Sequence, residues 1–190
     1  SYGINNTFIS NHAYIAGAAL GWMKSEGIKI YNYTFIDNTA NVYGGAIYVG
    51  PGSDNCVINY SLFDGNHIVD SYELPDNDKM DYFTPFDTAE RVVLSEYGLT
   101  IDSFGYGGAV YFAAFNATVV DSNFTYNSAE NGGAFFVAAN SGDTVINRSV
   151  FTYNIATENG GAVNLNASAV HIDDSIFNYN EAINGSAVYV

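Results

Sequence analysis

The sequence predicts an all-β fold, a right-handed parallel β-helix that forms a single domain over residues 1–190. Two short phrases recur in step along the chain, and short apolar segments with alternating polarity lie between them. Gly, Asn, Ser and Asp separate these segments, and no apolar spacing of about 3.6 residues runs through a whole repeat, which argues against helices. Copies of the two phrases give about six coils, one of which carries a lateral insertion of about 35 residues.

The first phrase is Phe-x-x-Asn, which occurs six times with successive spacings of 27, 28, 61, 27 and 26 residues. A period of about 20 to 50 residues is typical of stacked repeats. The repeated Phe is expected to stack on itself in the core, and the repeated Asn to turn the chain and to form a ladder of side-chain hydrogen bonds. The copies begin at Phe8, Phe35, Phe63, Phe124, Phe151 and Phe177.

The second phrase is Gly-Gly-Ala followed by an apolar residue, and its glycines permit positive φ at a tight corner. Beyond the glycines, alternation predicts that Ile47 and Val49 face the core and that Ala46 and Tyr48 face outward. In the other copies it predicts core positions at Val110, Phe112, Phe135, Val137, Val163, Leu165, Val188 and Val190. The copies begin at Gly17, Gly44, Gly107, Gly132, Gly160 and Gly185, and the first and last lack the second glycine.

The apolar segments, such as "CVINYSLF" and "ATVVDSNF", are rich in β-branched and aromatic residues and are predicted to be strands. Repeats joined in one direction cannot make antiparallel hairpins, but they can wind into a coil. Equivalent strands then stack in parallel, with about 4.8 Å between one coil and the next.

The third repeat is interrupted by an acidic insertion at residues 67–105, which holds nine of the 20 acidic residues. Asp76, Asp78 and Asp87 are spaced somewhat like a calcium-binding loop, but the central Gly is missing and Met80 stands where a ligand belongs. A solvated acidic loop is the simpler interpretation, and calcium is the alternative. No other metal or cofactor is predicted, since His12 and His67 have no metal-ligand spacing.

The composition excludes several functions. Twenty acidic residues stand against five basic ones, and the net charge of −15 argues against binding to nucleic acid or to anionic membranes. No apolar run approaches the roughly 18 residues of a membrane span, so this segment is not expected to insert into a membrane. Cys56 is the single cysteine, and because it opens an apolar stretch it is predicted to be a buried structural thiol.

Glycoside chemistry needs paired carboxylates at a defined separation. The best pair is Asp173 and Asp174, but Asp174 occupies the same repeat position as Asp121 and Arg148, so this position is variable. An exposed ion pair between Arg148 and Asp174 is the simpler interpretation. No catalytic residue is therefore predicted, and the chain is expected not to be an enzyme.

One aromatic column is a candidate binding surface, because the same predicted outward position is repeatedly aromatic. The simpler interpretation is a stack that covers the sheet, and the alternative is a platform for sugar rings or a partner protein. Asn164 interrupts the column, whose aromatic members are Tyr48, Tyr111, Phe136 and Tyr189.

Eight Asn-x-Ser/Thr sequons are candidate N-glycosylation sites, and glycosylation there would place the chain outside the cytoplasm. The alternative is that a chain rich in Asn, Ser and Thr generates such sequons by composition. They begin at Asn5, Asn32, Asn59, Asn116, Asn123, Asn147, Asn166 and Asn184.

The linked Phe-x-x-Asn and Gly-Gly-Ala phrases resemble the repeat of chlamydial polymorphic membrane proteins. The composition, rich in Asn and poor in Lys and Cys, is similar to that of adhesin-like proteins of methanogenic archaea. The resemblance covers nearly the whole chain outside the insertion. It implies a β-helix of the pectin-lyase-like kind, displayed at the cell surface.

The function that this resemblance implies is a non-enzymatic, adhesin-like or cell-wall-associated segment. Its partners would be surface glycans, the cell wall or surface proteins of another cell. The alternative is a β-helix that binds or degrades polysaccharide. Patterned sequence at both ends predicts that the chain continues on both sides or associates with other copies, end to end or laterally.

Overall fold

The computed structural model describes residues 2–69, 105–139, 141–167 and 169–190. Residues 70–104, most of the acidic insertion, lie outside this part, and so do the calcium candidates Asp76, Asp78 and Asp87. The described residues form 23 short strands and contain no helix. Each strand pairs in parallel with its equivalent in a neighbouring repeat.

The strands follow one another in repeated sets of four. The first coil contains β1 (Tyr2–Ile4), β2 (Thr7–Ile9), β3 (His12–Ala13) and β4 (Leu20–Trp22). The second contains β5 (Lys29–Tyr31), β6 (Thr34–Ile36), β7 (Thr39–Ala40) and β8 (Ile47–Val49). The third contains β9 (Val57–Asn59), β10 (Leu62–Asp64), β11 (His67–Ile68) and β12 (Val110–Phe112).

The remaining coils lie beyond the insertion. The fourth contains β13 (Thr118–Val120), β14 (Asn123–Thr125), β15 (Ser128–Asn131) and β16 (Phe135–Val137). The fifth contains β17 (Thr144–Asn147), β18 (Val150–Thr152), β19 (Ile155–Asn159) and β20 (Val163–Leu165). The sixth contains β21 (Val170–Asp173), β22 (Ile176–Asn178) and β23 (Val188–Tyr189).

Equivalent strands stack into four parallel sheets, named here by the order in which one coil visits them. The first, second and fourth sheets have six strands each, and the third has five. In the sixth coil the third side consists of two isolated bridges, from Ile155 to Glu181 and from Asn159 to Asn184. The all-parallel pairing confirms the predicted parallel β-helix. Five coils are complete, so the predicted count of six is slightly too high.

The motif Phe residues form one continuous stack in the core, as predicted. Consecutive ring centroids are 4.7–5.2 Å apart and the rings are within 9° of parallel. Ile47, Val49 and their equivalents in the third to fifth coils are buried beside this stack, again as predicted. Val188 packs partly buried against the core, whereas Val190, also predicted to face the core, is 86% exposed and is not part of the core cluster.

The chain turns at columns of positive φ, and one of these columns corrects the prediction for the motif Asn. The residue just before that Asn has φ between 51° and 62°, whereas φ of the motif Asn itself is not positive. The turn residues, together called the corner column, lie between the second and third sheets and are Ser10, Asp37, Gly65, Tyr126, Tyr153 and Tyr179.

The predicted ladder of motif Asn side chains is confirmed. Oδ1 of Asn127 accepts hydrogen bonds from the backbone N–H of Asn66, at 2.9 Å, and from Asn66 Nδ2, at 3.1 Å. Nδ2 of Asn127 donates to Asn154 Oδ1, at 2.9 Å, and to the Phe63 carbonyl, at 3.1 Å. Asn127 is fully buried, so its amide is a satisfied polar group inside the fold.

A second ladder, which the sequence analysis missed, is built from Ser two residues before the motif Phe. The Oγ of Ser149 accepts the backbone N–H of Ser122, at 3.3 Å, and donates to the Asn147 carbonyl, at 3.0 Å. Four such hydroxyls line up in successive coils, at Ser61, Ser122, Ser149 and Ser175.

The two glycines of the second phrase have different roles. The first has positive φ in every copy, between 57° and 68°, as predicted for a tight corner. The second is needed for close packing, because a Cβ at Gly133 would overlap the carbonyl oxygens of Gly161 and Ile155 in the next coil. The sequence predicted the turn but not this contact between neighbouring coils.

Candidate functional site

The aromatic column predicted as a candidate binding surface is a real stack, but most of it is buried. Tyr48, Tyr111 and Phe136 stack at 5.6 Å and 5.5 Å, with rings within 9° of parallel. Their exposed fractions are only 4%, 7% and 5%. An exposed platform is therefore wrong for these three residues, whereas Tyr189 is 40% exposed. The simpler interpretation, a stack that covers the sheet, fits the structure.

Tyrosines from just before the Gly pairs cover this buried stack. Tyr43 lies 4.6 Å from Tyr111, centroid to centroid, and Tyr106 lies 4.6 Å from Phe136. Burial raises the pKa of the Tyr48 and Tyr111 hydroxyls far above their usual range, and neighbouring Tyr43 adds to the rise. The fourth sheet is thus covered on its outer face as well as on its inner face.

A different aromatic stack is exposed, in the corner column. Tyr126 stacks on Tyr153 at 5.1 Å and 2°, and Tyr153 stacks on Tyr179 at 4.9 Å and 10°. Their exposed fractions are 61%, 43% and 74%. This corner stack was missed by the sequence analysis. Its signal is the Tyr that precedes the motif Asn in the last three repeats, "FTYN", "FTYN" and "FNYN".

The corner stack stops at Tyr126, because the next position in the column is Gly65. The two are neighbours in register, since the backbone N–H of Gly65 donates to the Thr125 carbonyl at 2.9 Å. One coil further, the Asp37 side chain leans toward this position, and a Cβ at Gly65 would fall 2.5 Å from Asp37 Oδ1. The result is a recess beside the ring of Tyr126, with the Asp37 carboxylate reaching into its base, called the Gly65 slot.

Polar groups flank the Gly65 slot on both sides. His67 Nδ1 lies 2.7 Å from the Gly65 carbonyl and donates to it, because a carbonyl only accepts. On the other side Thr125 Oγ1 donates to Asp64 Oδ1, at 2.8 Å. An exposed aromatic side chain and several polar groups thus surround Gly65.

The carboxylates considered for catalysis lie on the opposite corner of the second sheet. Asp173 pairs in register with Asn147, and both Asp173 and Asp174 are exposed. Arg148 does not pair with Asp174 as predicted. Its guanidinium donates two hydrogen bonds to Asp121 instead, at 2.8 Å and 2.9 Å, and these hold the pKa of the Asp121 carboxyl below its usual range.

Cys56 is a buried thiol, as predicted. It is fully buried in the core, and burial raises its pKa to about 12. At neutral pH the thiolate fraction is therefore negligible, so Cys56 is not a nucleophile.

The sequons differ in accessibility. The Asn side chains of six are exposed, whereas Asn59 and Asn147 are only partly exposed. In these two, the hydroxyl residues are Ser61 and Ser149, members of the buried Ser ladder. The Ser therefore has a structural reason to be present in these two sequons. The six exposed sequons remain glycosylation candidates.

A cavity of about 510 Å³ opens at the first coil, and its mixed lining includes the apolar Phe8 and Ile28 as well as the polar Asn6 and Glu26. Within the described ranges, no group of three or more His, Cys, Asp or Glu side chains is arranged to hold a metal ion. No helix suited to crossing a membrane is found in the described part of the chain.

Comparison with known proteins gives one match. The family model for the Chlamydia polymorphic membrane protein repeat matches residues 32–50. These residues hold the motif Phe and Asn of the second coil and its Gly-Gly-Ala phrase, so the match falls on the two phrases that define every coil. No curated protein and no solved structure matches the chain. The chain is thus a parallel β-helix with a repeat like that of the polymorphic membrane proteins.

Proposed function

We propose that this chain is a segment of a surface-displayed, adhesin-like protein, in which the β-helix is a scaffold for attachment. The observation that carries the proposal is the match of the second coil to the polymorphic membrane protein repeat. The ladders support it, because the same Asn and Phe contacts recur from coil to coil. Each coil adds about 4.8 Å of length, so repetition makes a rod that can hold a surface away from the cell.

The proposed location is outside the cell or on its surface. An acidic chain with exposed sequons suits this location, because net charge keeps a surface protein soluble and glycans add a hydrated cover. The proposed partners are surface glycans, cell-wall polymers or surface proteins of another cell. We also propose self-association, end to end or lateral, since stacked coils present matching strand edges.

A binding assay on intact cells tests the attachment. Labelled chain should bind saturably to bacterial, archaeal or animal cells, or to a panel of immobilised cell-surface glycans. An acidic globular protein of similar size is the control for non-specific charge effects. Binding no greater than that of the control on every surface would contradict the proposal.

We further propose that the chain does not turn over polysaccharide. Its support is that Asp173 and Asp174 are exposed residues in a variable position and that Arg148 is engaged by Asp121. The assay is incubation with pectate and polygalacturonate, with and without calcium. No reducing ends or unsaturated products are expected. Product release that disappears in Asp173→Ala or Asp174→Ala would establish the degrading alternative.

A further inference from the structure

We propose that the Gly65 slot is a binding site for a neutral pyranose sugar, which stacks on the open face of Tyr126. This inference rests on the proposed function and deepens it, because it assigns one ligand class to one place on the scaffold. The corner stack supplies the geometry, and the acidic and imidazole side chains around Gly65 supply the chemistry.

The geometry follows from the repeat. The rings of Tyr126, Tyr153 and Tyr179 are parallel and about one coil apart, so each inner ring face is covered by the next ring. The outer face of Tyr126 points toward the coil in which Gly65 has no side chain. Asp37 is two coils from Tyr126, so their backbones are about 9.6 Å apart, twice the strand spacing. The Asp37 side chain reaches back toward Gly65, so its carboxylate would lie beneath a ring stacked on Tyr126. A single flat ring placed at the Gly65 level would continue the stack.

The chemistry selects a sugar over an aromatic ring. An aromatic face is electronegative and attracts the slightly positive C–H groups on one face of a pyranose. The flanking groups include two acceptors, the carboxylates of Asp37 and Asp64. Sugar hydroxyls can donate to both of them, whereas an aromatic ring would leave them without partners and pay their desolvation.

Charge selects a neutral sugar over an acidic one. Asp37 and Asp64 border the slot, and the whole chain carries a net charge of −15. A uronic or sialic acid would bring a carboxylate next to these groups, which is unfavourable. Neutral hexoses bring no such repulsion, and their hydroxyls form charge-assisted hydrogen bonds with carboxylates.

The test uses saturation-transfer NMR on the full chain with methyl glycosides of glucose, galactose and mannose, and with methyl glucuronide as the charged comparison. Transfer is expected to at least one neutral glycoside and to be weaker for the glucuronide. Absence of transfer to all three neutral glycosides, or equal binding of the glucuronide, would overturn the inference.

Two variants locate the site. Tyr126→Ala removes the stacking face, and Gly65→Tyr fills the slot with a residue that the same corner already holds at Tyr153 and Tyr179. Each is expected to weaken binding by about tenfold or more. Tyr179→Ala, at the far end of the stack, is the matched control and should bind like the unmodified chain. Undiminished binding in a folded Gly65→Tyr protein would show that the slot is not the site.

The sugar site and the adhesin-like function can be contradicted independently of each other. Cell attachment without sugar transfer, or attachment unchanged in Gly65→Tyr, would remove the sugar site and leave the adhesin-like function. Sugar transfer without attachment to any cell or glycan surface would keep the site and remove the proposed function.

Discussion

The core Phe stack and the exposed corner stack have nearly the same ring geometry in opposite environments. Phe124 and Phe151 are 4.7 Å apart at 3° and fully buried, while Tyr126 and Tyr153, two residues further along, are 5.1 Å apart at 2° and exposed. Rings stack in both places because the strand ladder sets the spacing between coils. Parallel stacking is therefore a consequence of the backbone, and only burial decides how much each stack contributes to stability.

The largest effect is expected in the core. Phe124→Ala should lower the free energy of unfolding by about 3–5 kcal/mol, because it removes a fully buried ring and leaves a cavity in the stack. Urea denaturation of the variant and the unmodified chain measures the difference. A loss below about 1 kcal/mol would mean that the core Phe stack is as dispensable as the exposed one.

The Asn ladder is expected to be the next most sensitive feature. Asn127→Ala removes the acceptor for both N–H groups of Asn66, which are buried and would lose their partner. The expected cost is about 1–3 kcal/mol. Ser128→Ala, at a partly exposed neighbouring position, is the control in the same denaturation experiment. Equal stability of the two variants would show that the Asn ladder contributes little to the stability of the fold.

A small effect is expected in the corner stack. Tyr153→Ala removes the middle ring of the exposed stack, and the expected loss is about 1 kcal/mol or less, because little apolar area leaves water there. The comparison with Phe151→Ala, two residues earlier in the same coil, is the sharpest available. If the two variants lost similar stability, burial would not be what separates the stacks.

The smallest effect is expected at the exposed ion pair. Arg148 lowers the pKa of Asp121, so the stability that the pair contributes is present above the unfolded-state pKa and is lost as pH falls through the folded-state pKa. Both groups are solvated, so Asp121→Asn should leave the melting temperature at pH 7 nearly unchanged. The melting temperatures of the variant and the unmodified chain are compared across the acid range. A melting temperature that falls clearly less with acid in the variant would show that the ion pair contributes more than expected.

The core of the fold could be predicted from the sequence alone, because the core is built from the two phrases that recur in each repeat. Phe124 and Gly132 belong to phrases repeated at a fixed period, and residues repeated at one coil length lie above one another in a column. The burial of Tyr48 was not predictable in the same way. Alternation gives the face on which Tyr48 lies, but the residue that covers that face, Tyr43, belongs to a different part of the repeat.

The site was harder to predict than the fold. The Gly65 slot arises where one repeat departs from its neighbours, and a single Gly among turn residues is ordinary in a sequence. Only the register of β10 with β14 places Gly65 beside Tyr126. Asp37 and His67 approach Gly65 from two different coils, so neither their spacing nor their residue type identifies them in advance.

The Asn ladder has a direction, and this direction bears on how such a chain changes length during evolution. Between motif Asn side chains, each inner Asn accepts from the Asn of the coil before it and donates to the Asn of the coil after it, and its Nδ2 also donates to the motif Phe carbonyl of the coil before. Every inner coil therefore offers the same set of donors and acceptors to its two neighbours. A coil gained by duplication, or lost by deletion of one period, leaves its neighbours with the partners they had. The length of the rod can therefore vary among descendants without redesign of the contacts that hold it together.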